Sequence, residues 1–289
     1  MTTRPLTFKR IGFFLAAAAL ALSPTAAEAK VRLKLATLAP PGSAWMKLFE
    51  GMNAELKKAT GGEVSFKYYP GGAAGDEKDV VRKMRINQMH GGSMTAVGLG
   101  EIAPEVLALQ LPLLFRSFGE LDYVRDRMAP TFERMFLDKG FVILGWGDVG
   151  YTYIFSNVEV KTLDDLKKTK MWAWVDDPIG KKVFEIAGIT PVPLSVPDVL
   201  PSLQTGLIDA VYTSPLASIA LQWNTKVKYV ATMPLAIGIG ATLINKKQID
   251  KLTEEQKKTL LEVSHKWHDK LVSQIRRDNK VSVKSLTKG

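Results

Sequence analysis

Cysteine is absent from the 289 residues. That excludes disulfides, thiolate metal sites, haem attachment, cysteine nucleophiles and a lipid anchor on cysteine. Histidine is scarce, with three residues. Mean hydropathy is near zero, which excludes a polytopic membrane protein built on several apolar runs of about 20 residues. The chain is basic, at a formal net charge of +10. However, its lysines are scattered as pairs such as Lys57-Lys58, Lys167-Lys168 and Lys257-Lys258, with acids nearby. No RNP, zinc-finger or basic-zipper pattern accompanies them, so a nucleic-acid partner is not expected.

What is present begins with an address. Arg4, Lys9 and Arg10 precede an uncharged apolar run over 11–22, then Ser23-Pro24 and the small-residue stretch ending Ala27-Glu28-Ala29. This order predicts a secretory signal over residues 1–29, cut before Lys30, and a periplasmic address. The run of about 12 apolar residues is too short to span a bilayer comfortably. Its removal takes three basic residues and one acid, leaving +8.

The rest alternates strand and helix. Val31, Leu33, Leu35 and Thr37 keep a period of two, and Ser43 is placed to cap a helix with the stripe Trp45, Leu48, Phe49, Met52 and Leu56. The same grammar predicts strands at 64–68, 93–97, 141–144, 151–156, 170–175, 189–192, 208–212, 227–231 and 235–244. Asp76 is placed to cap a second helix, and a long one is expected over 120–138. Thr253 and Gln256 form a capping box for a last helix reaching about Lys280. Alternation of this kind predicts an α/β fold with a mainly parallel sheet.

Motifs for catalysis are weak. Gly145-Trp-Gly147-Asp-Val-Gly150 spells a dinucleotide fingerprint, but a strand-like run follows it where a helix should open. The glycines are read as permitting a tight crossing between two strands. Pro70 to Gly75 makes a turn without the Gly-Lys-Ser/Thr of a phosphate loop. His265 and His268, with Glu262 and Asp269, offer a metal face at helical spacing; a solvated flank is the simpler reading. Asp176-Asp177-Pro178 reads as a helix cap. No activated serine sits in a Gly-x-Ser-x-Gly elbow. Neither an enzyme nor a cofactor is expected.

Aromatics, by contrast, gather at the ends of expected strands and helices, where open α/β sheets bind ligands. The aromatics that this reading places in a ligand-binding cleft are Trp45, Trp146, Tyr151, Tyr153, Trp172, Trp174 and Tyr212.

The segments 94–115 (MTAVGLGEIAPEVLALQLPLLF), 146–157 (WGDVGYTYIFSN), 162–178 and 193–210 (PLSVPDVLPSLQTGLIDA) resemble the extracytoplasmic solute-binding proteins of TRAP transporters, the DctP-like family. The resemblance implies a periplasmic-binding-protein-like fold, two α/β lobes joined by crossing strands and a long helix. Lobe one is expected over 30–150 plus 245–289, and lobe two over 151–244. It also implies capture of an organic acid in the cleft and delivery to TRAP membrane permease subunits. Relatives usually carry Lys-Ile-Arg after the Leu-Asp-Asp-Leu helix, and that arginine grips the ligand carboxylate. Here Lys170-Met171-Trp172 stands instead, and a second family arginine aligns with Thr152. The usual Glu-Asn is Tyr212-Thr213, so the resemblance adds Thr213, and Met94 from the first resembling segment, to the seven aromatics, an expected ligand-binding set of nine. An indole in place of a guanidinium fork predicts a small organic solute more hydrophobic or aromatic than a C4-dicarboxylate, for instance an amphipathic acid whose carboxylate meets backbone amides or hydroxyls. A hydrophobic-ligand or lipid-handling protein on the same fold, uncoupled from transport, is the alternative.

Overall fold

The computed structural model describes residues 1–2 and 30–287. All but the first two residues of the expected signal segment, 1–29, lie outside them. Among the described residues no helix is long and apolar enough to cross a membrane.

The first half builds as its apolar spacing requires. β1 (Val31–Thr37) turns Leu33 and Leu35 inward. Ser43 then accepts from Met46 N at the start of α1 (Ala44–Ala59). β2 (Val64–Tyr69) pairs parallel with β1, and α2 (Glu77–Arg85), capped by Asp76, leads to β3 (Gly91–Thr95), parallel on the other side of β1. The expected strand 93–97 ends early because the Thr95 hydroxyl accepts from Val97 N and starts the short α3 (Ala96–Gly100). A 3-10 turn over Pro104–Gln110 and α4 (Phe118–Asp138) follow.

The strands expected at 141–144 and 151–156 are one 16-residue strand, β4 (Phe141–Ser156). Beyond it come α5 (Leu163–Lys167), β5 (Trp172–Trp174), α6 (Pro178–Ala187), β6 (Val192–Leu194) and α7 (Val196–Thr205). β7 (Ala210–Thr213), α8 (Pro215–Ala220), β8 (Tyr229–Val230) and β9 (Ala236–Asn245) complete the strands. α9 (Lys246–Ile249) and the 33-residue α10 (Glu254–Leu286) close the chain, the latter opening on the expected Thr253–Gln256 capping box.

The main sheet has the order β2-β1-β3-β9-β4-β7, with β8 also on β4, while β5 and β6 form a separate parallel pair. Only the neighbours β2-β1 and β1-β3 pair parallel in this sheet; β9 pairs antiparallel with both β3 and β4, so the sheet is mixed rather than mainly parallel. β4 pairs with β9 from Phe141 to Thr152 and with β7 and β8 beyond, so it passes from one lobe into the other. In the first lobe one core lies between the sheet and helices α1 and α10 (Leu33, Met52, Leu56, Leu260, Ile275). Another lies under α2, α3 and α4 (Met84, Leu99, Phe132, Phe136). The second lobe packs around Phe155, Trp172, Val199, Leu203 and Trp223.

The glycine motif serves α10 rather than a strand crossing. A Cβ on Gly145 would stand 2.3 Å from His268 Cγ, one on Gly147 3.3 Å from Leu271 Cδ2, and one on Gly150 2.5 Å from Asn279 Nδ2. His268, Leu271 and Asn279 lie on the face of α10 that beds onto this bare track of backbone. Register shifts fall at Gly145 and at Gly150, whose φ of +112° suits glycine. Asn279 fixes the seat by donating to Val149 O and accepting from Leu216 N of α8. Consequently His268 is buried, while Glu262, His265 and Asp269 stay on the solvated flank.

Candidate functional site

A cavity of about 850 Å³ opens between the lobes. From the first lobe come Thr37, Trp45, Ser93, Met94 and Thr95; from the second, Trp172, Trp174, Tyr212, Thr213 and Trp223; and Thr152 comes from the connecting strand. Six of the nine expected residues therefore meet there: Trp45, Met94, Trp172, Trp174, Tyr212 and Thr213.

Each ring is held by the fold. Trp45 sits on the first turn of α1 and donates from Nε1 to Asp148 O at 3.2 Å. Trp172 and Trp174 lie on the short β5, two residues apart, stacked at 26° with centroids 6.4 Å apart. Trp172 also stacks on Tyr212 at 4.8 Å, meets the edge of Trp223 at 5.2 Å, and donates to Leu194 O. At 2% exposure it is part of the second lobe's core as well as a wall of the cavity. The Tyr212 hydroxyl donates to Asp177 Oδ2 and accepts from Trp174 N. Burial raises its pKa well above that of an ordinary phenol, with Asp177 adding to the shift.

Trp146, Tyr151 and Tyr153 are placed elsewhere. Successive side chains of a strand point to opposite faces. Thr152, Ile154 and Ser156 line the cavity, so Tyr151 and Tyr153 turn away from it. Tyr151 packs on Phe118 and donates to Arg116 O, while Tyr153 joins the second lobe's core. Trp146 meets Phe132 edge-on beneath α4. Read as a single long strand, 141–156 would have turned Tyr151 and Tyr153 away from the cavity, but Trp146 shares the parity of Thr152 and is turned away only by the register shift before Gly150.

Sequence reasoning missed the carboxylates. Glu77, one residue past the α2 cap, accepts from Thr95 N, Thr95 Oγ1 and Gly98 N at 2.7–2.8 Å. Burial outweighs those bonds and raises its pKa to about 7. Asp177 caps α6 by accepting from Ile179 N and Gly180 N, as expected of the Asp-Asp-Pro loop. Asp148 pairs with Arg276, which also grips Asp122 through both guanidinium Nη atoms; burial still raises the Asp148 pKa. Asp76 joins the lobes: its Oδ2 accepts from Trp174 Nε1 at 2.9 Å and from Val196 N at 3.0 Å. Nearby, Lys78 pairs with Asp176 at 2.9 Å. Among the described residues lining the cavity there is no arginine, and Lys161 is the one lysine.

The histidines do not assemble a metal face. His268 Nδ1 bonds Ser264 O and Nε2 bonds Thr242 Oγ1, each at 2.7 Å, while His265 points to solvent. Among the described residues no cluster of three or more His, Asp or Glu is arranged to hold a metal ion.

Comparison with known proteins points the same way. A solute-binding protein of Chromohalobacter salexigens is 26% identical over 172 residues, 59% of this chain and 51% of that protein. The 2,3-diketo-L-gulonate-binding periplasmic protein YiaO of Escherichia coli is 26% identical over 218 residues, 72% of this chain and 64% of that one. The chain thus spans about half to two-thirds of the length of these curated relatives. The crystal structure of a TRAP periplasmic solute binding protein from Xanthobacter autotrophicus Py2, with bound β-D-galacturonate, shares the fold. It is 21% identical, with a TM-score of 0.83 over 89% of this chain and 86% of that one. The model of bacterial extracellular solute-binding protein family 7 matches residues 35–289. With two lobes, a cavity between them and a match over nearly all of the described length, this chain belongs to that family, DctP.

Proposed function

We propose that the chain is an exported solute-binding protein of a TRAP-type transporter. It captures a small organic solute between lobe one (30–150 plus 245–289) and lobe two (151–244) and presents it to membrane permease subunits. The observation that carries this reading is the cavity itself. Its volume suits a small organic molecule, both lobes supply its walls, and Asp76 binds the lobes together at its margin. The last turns of α10 reach α8 and the second lobe's core, so the long helix braces both lobes while they rotate. Relatives named for 2,3-diketo-L-gulonate and crystallised with galacturonate make organic acids the reference class. The indole and phenol wall favours a more hydrophobic or aromatic solute than those sugar acids.

The test is a titration of the purified exported protein with a library of sugar acids, aromatic and aliphatic acids, alcohols and amines. It is followed by tryptophan fluorescence and small-angle scattering. At least one solute should bind at micromolar concentration and reduce the radius of gyration. If the whole library leaves both signals flat, the protein is not a solute receptor of this kind.

A further inference from the structure

The hydrogen-bonding groups of the cavity wall are spent in one direction. His268 Nδ1 faces the carbonyl of Ser264 at 2.7 Å, and a carbonyl only accepts, so the ring proton is on Nδ1. Burial lowers the pKa of His268 to about 4, which keeps the ring neutral and leaves Nε2 an acceptor. Thr242 must then donate its hydroxyl proton to Nε2 at 2.7 Å. Its oxygen, 2.8 Å from Ser93 Oγ, can only accept, so the Ser93 proton points at Thr242. What Ser93 retains for the cavity is lone pairs.

The same polarity recurs around the wall. Thr95 gives its proton to Glu77, and Tyr212 gives its own to Asp177. The indole N–H groups of Trp45, Trp172 and Trp174 all end on protein oxygens. Backbone amides that would hold an anion are already filled by carboxylates: Ile179 N and Gly180 N by Asp177, Gly98 N by Glu77, and Val196 N by Asp76. Lys161 is paired with Glu159 at 3.0 Å. Glu77 and Asp177 have no ion-pair partner among the described residues. The side-chain donors left over are neutral, among them the Gln110 amide nitrogen, whose oxygen accepts from Ile239 N, the Trp223 indole N–H, and the hydroxyls of Thr37, Thr152 and Thr213. An ionised carboxylate moved into such a wall loses its hydration and gains no cation in return.

We infer that the solute carries no free carboxylate: it is an apolar or aromatic molecule whose polar head donates hydrogen bonds, as an alcohol or an ammonium does. This deepens the proposed solute-binding role and rests on it. The body lies against the indole and phenol faces, and the head meets the lone pairs of Ser93 and the carboxyl oxygens of Asp177.

Matched probes test it. The purified protein is titrated calorimetrically with sets that share a skeleton and differ in the head: 2-phenylethanol, 2-phenylethylamine and phenylacetate, then the cyclohexyl and isobutyl counterparts. β-D-Galacturonate is run alongside. At least one alcohol or amine should bind tenfold or more tightly than its carboxylate partner. In Ser93→Ala its affinity should fall about fivefold, the value of one neutral hydrogen bond. A carboxylate that matches or exceeds its partners overturns the inference, as does an unchanged affinity in Ser93→Ala. Binding of galacturonate alone overturns it while leaving the solute-binding role intact; no binding by any probe counts against both.

Discussion

At the scale of single residues, Trp172 shows why the site was only partly legible. Its position in the family pattern and its place on a strand end pointed to the cavity, and it does line the cavity. The sequence did not reveal that Tyr212, Trp174 and Trp223 would converge on it from β7, β5 and the 3-10 turn after α8. Such contacts join positions up to 51 residues apart (Trp172 to Trp223), and no local pattern encodes them. The burial changes what a substitution does. A ring engaged only with ligand could be removed at no cost to the empty protein. Trp172 is stacked and enclosed, so Trp172→Ala should destabilise the ligand-free protein by about 3–5 kcal/mol. Trp172→Phe should recover a large part of that loss. Urea unfolding without solute measures both, and an unchanged midpoint in the alanine variant would show that the ring contributes nothing to the core. The carboxylates were hidden for a different reason. Glu77 and Asp177 sit at helix starts, where acids are ordinary, and only the folded neighbours turn them toward a shared cavity.

Among the elements, those with strong periodicity were readable, and those governed by long-range pairing were not. The stripe of α1, the cap of α2 and the capping box of α10 are local chemistry, and each is where the sequence puts it. β4 broke the pattern because three glycines within six residues read as a tight crossing between two strands. In fact they are a flat seat for α10, whose identity becomes visible only when 145–150 is set against 268–279. That pairing makes a graded prediction. Gly145→Ala places a methyl 2.3 Å from the His268 ring and 2.6 Å from its Cβ, and neither can retreat without moving α10. Its cost should reach the upper end of the about 1–3 kcal/mol seen for overpacking, or beyond. Gly147→Ala meets only the tip of Leu271 at 3.3 Å and should cost less than about 1 kcal/mol. Thermal unfolding of the two variants separates them, and equal losses would mean that α10 does not bear on this track.

For the molecule as a whole, two buried ionisable groups oppose one another. Glu77 has its pKa raised from 4.5 to about 7 by burial. The fold therefore keeps a proton that the unfolded chain releases, and stability falls as pH rises between those values. His268 has its pKa lowered from 6.5 to about 4 by burial. There the unfolded chain binds the extra proton, so stability rises with pH over nearly the same window. Each shift corresponds to something on the order of 3 kcal/mol across its range. Their slopes have opposite sign and largely cancel between about pH 4.5 and 6.5, which masks both in the native protein. Substitution should unmask them. His268→Gln keeps one donor and one acceptor but no titrating ring, so its own stability should decline from pH 4.5 to 7 as the Glu77 arm alone dictates, and relative to wild type it should decline from pH 4 to 6.5. Glu77→Gln removes the other arm, and its stability should instead climb from pH 4 to 6.5. Urea unfolding at half-unit steps across pH 4–7.5 reads the difference curves directly. Two variants running parallel to the wild type would mean that burial shifts neither group's titration, and the neutral histidine behind the polarity of Ser93 would lose its support.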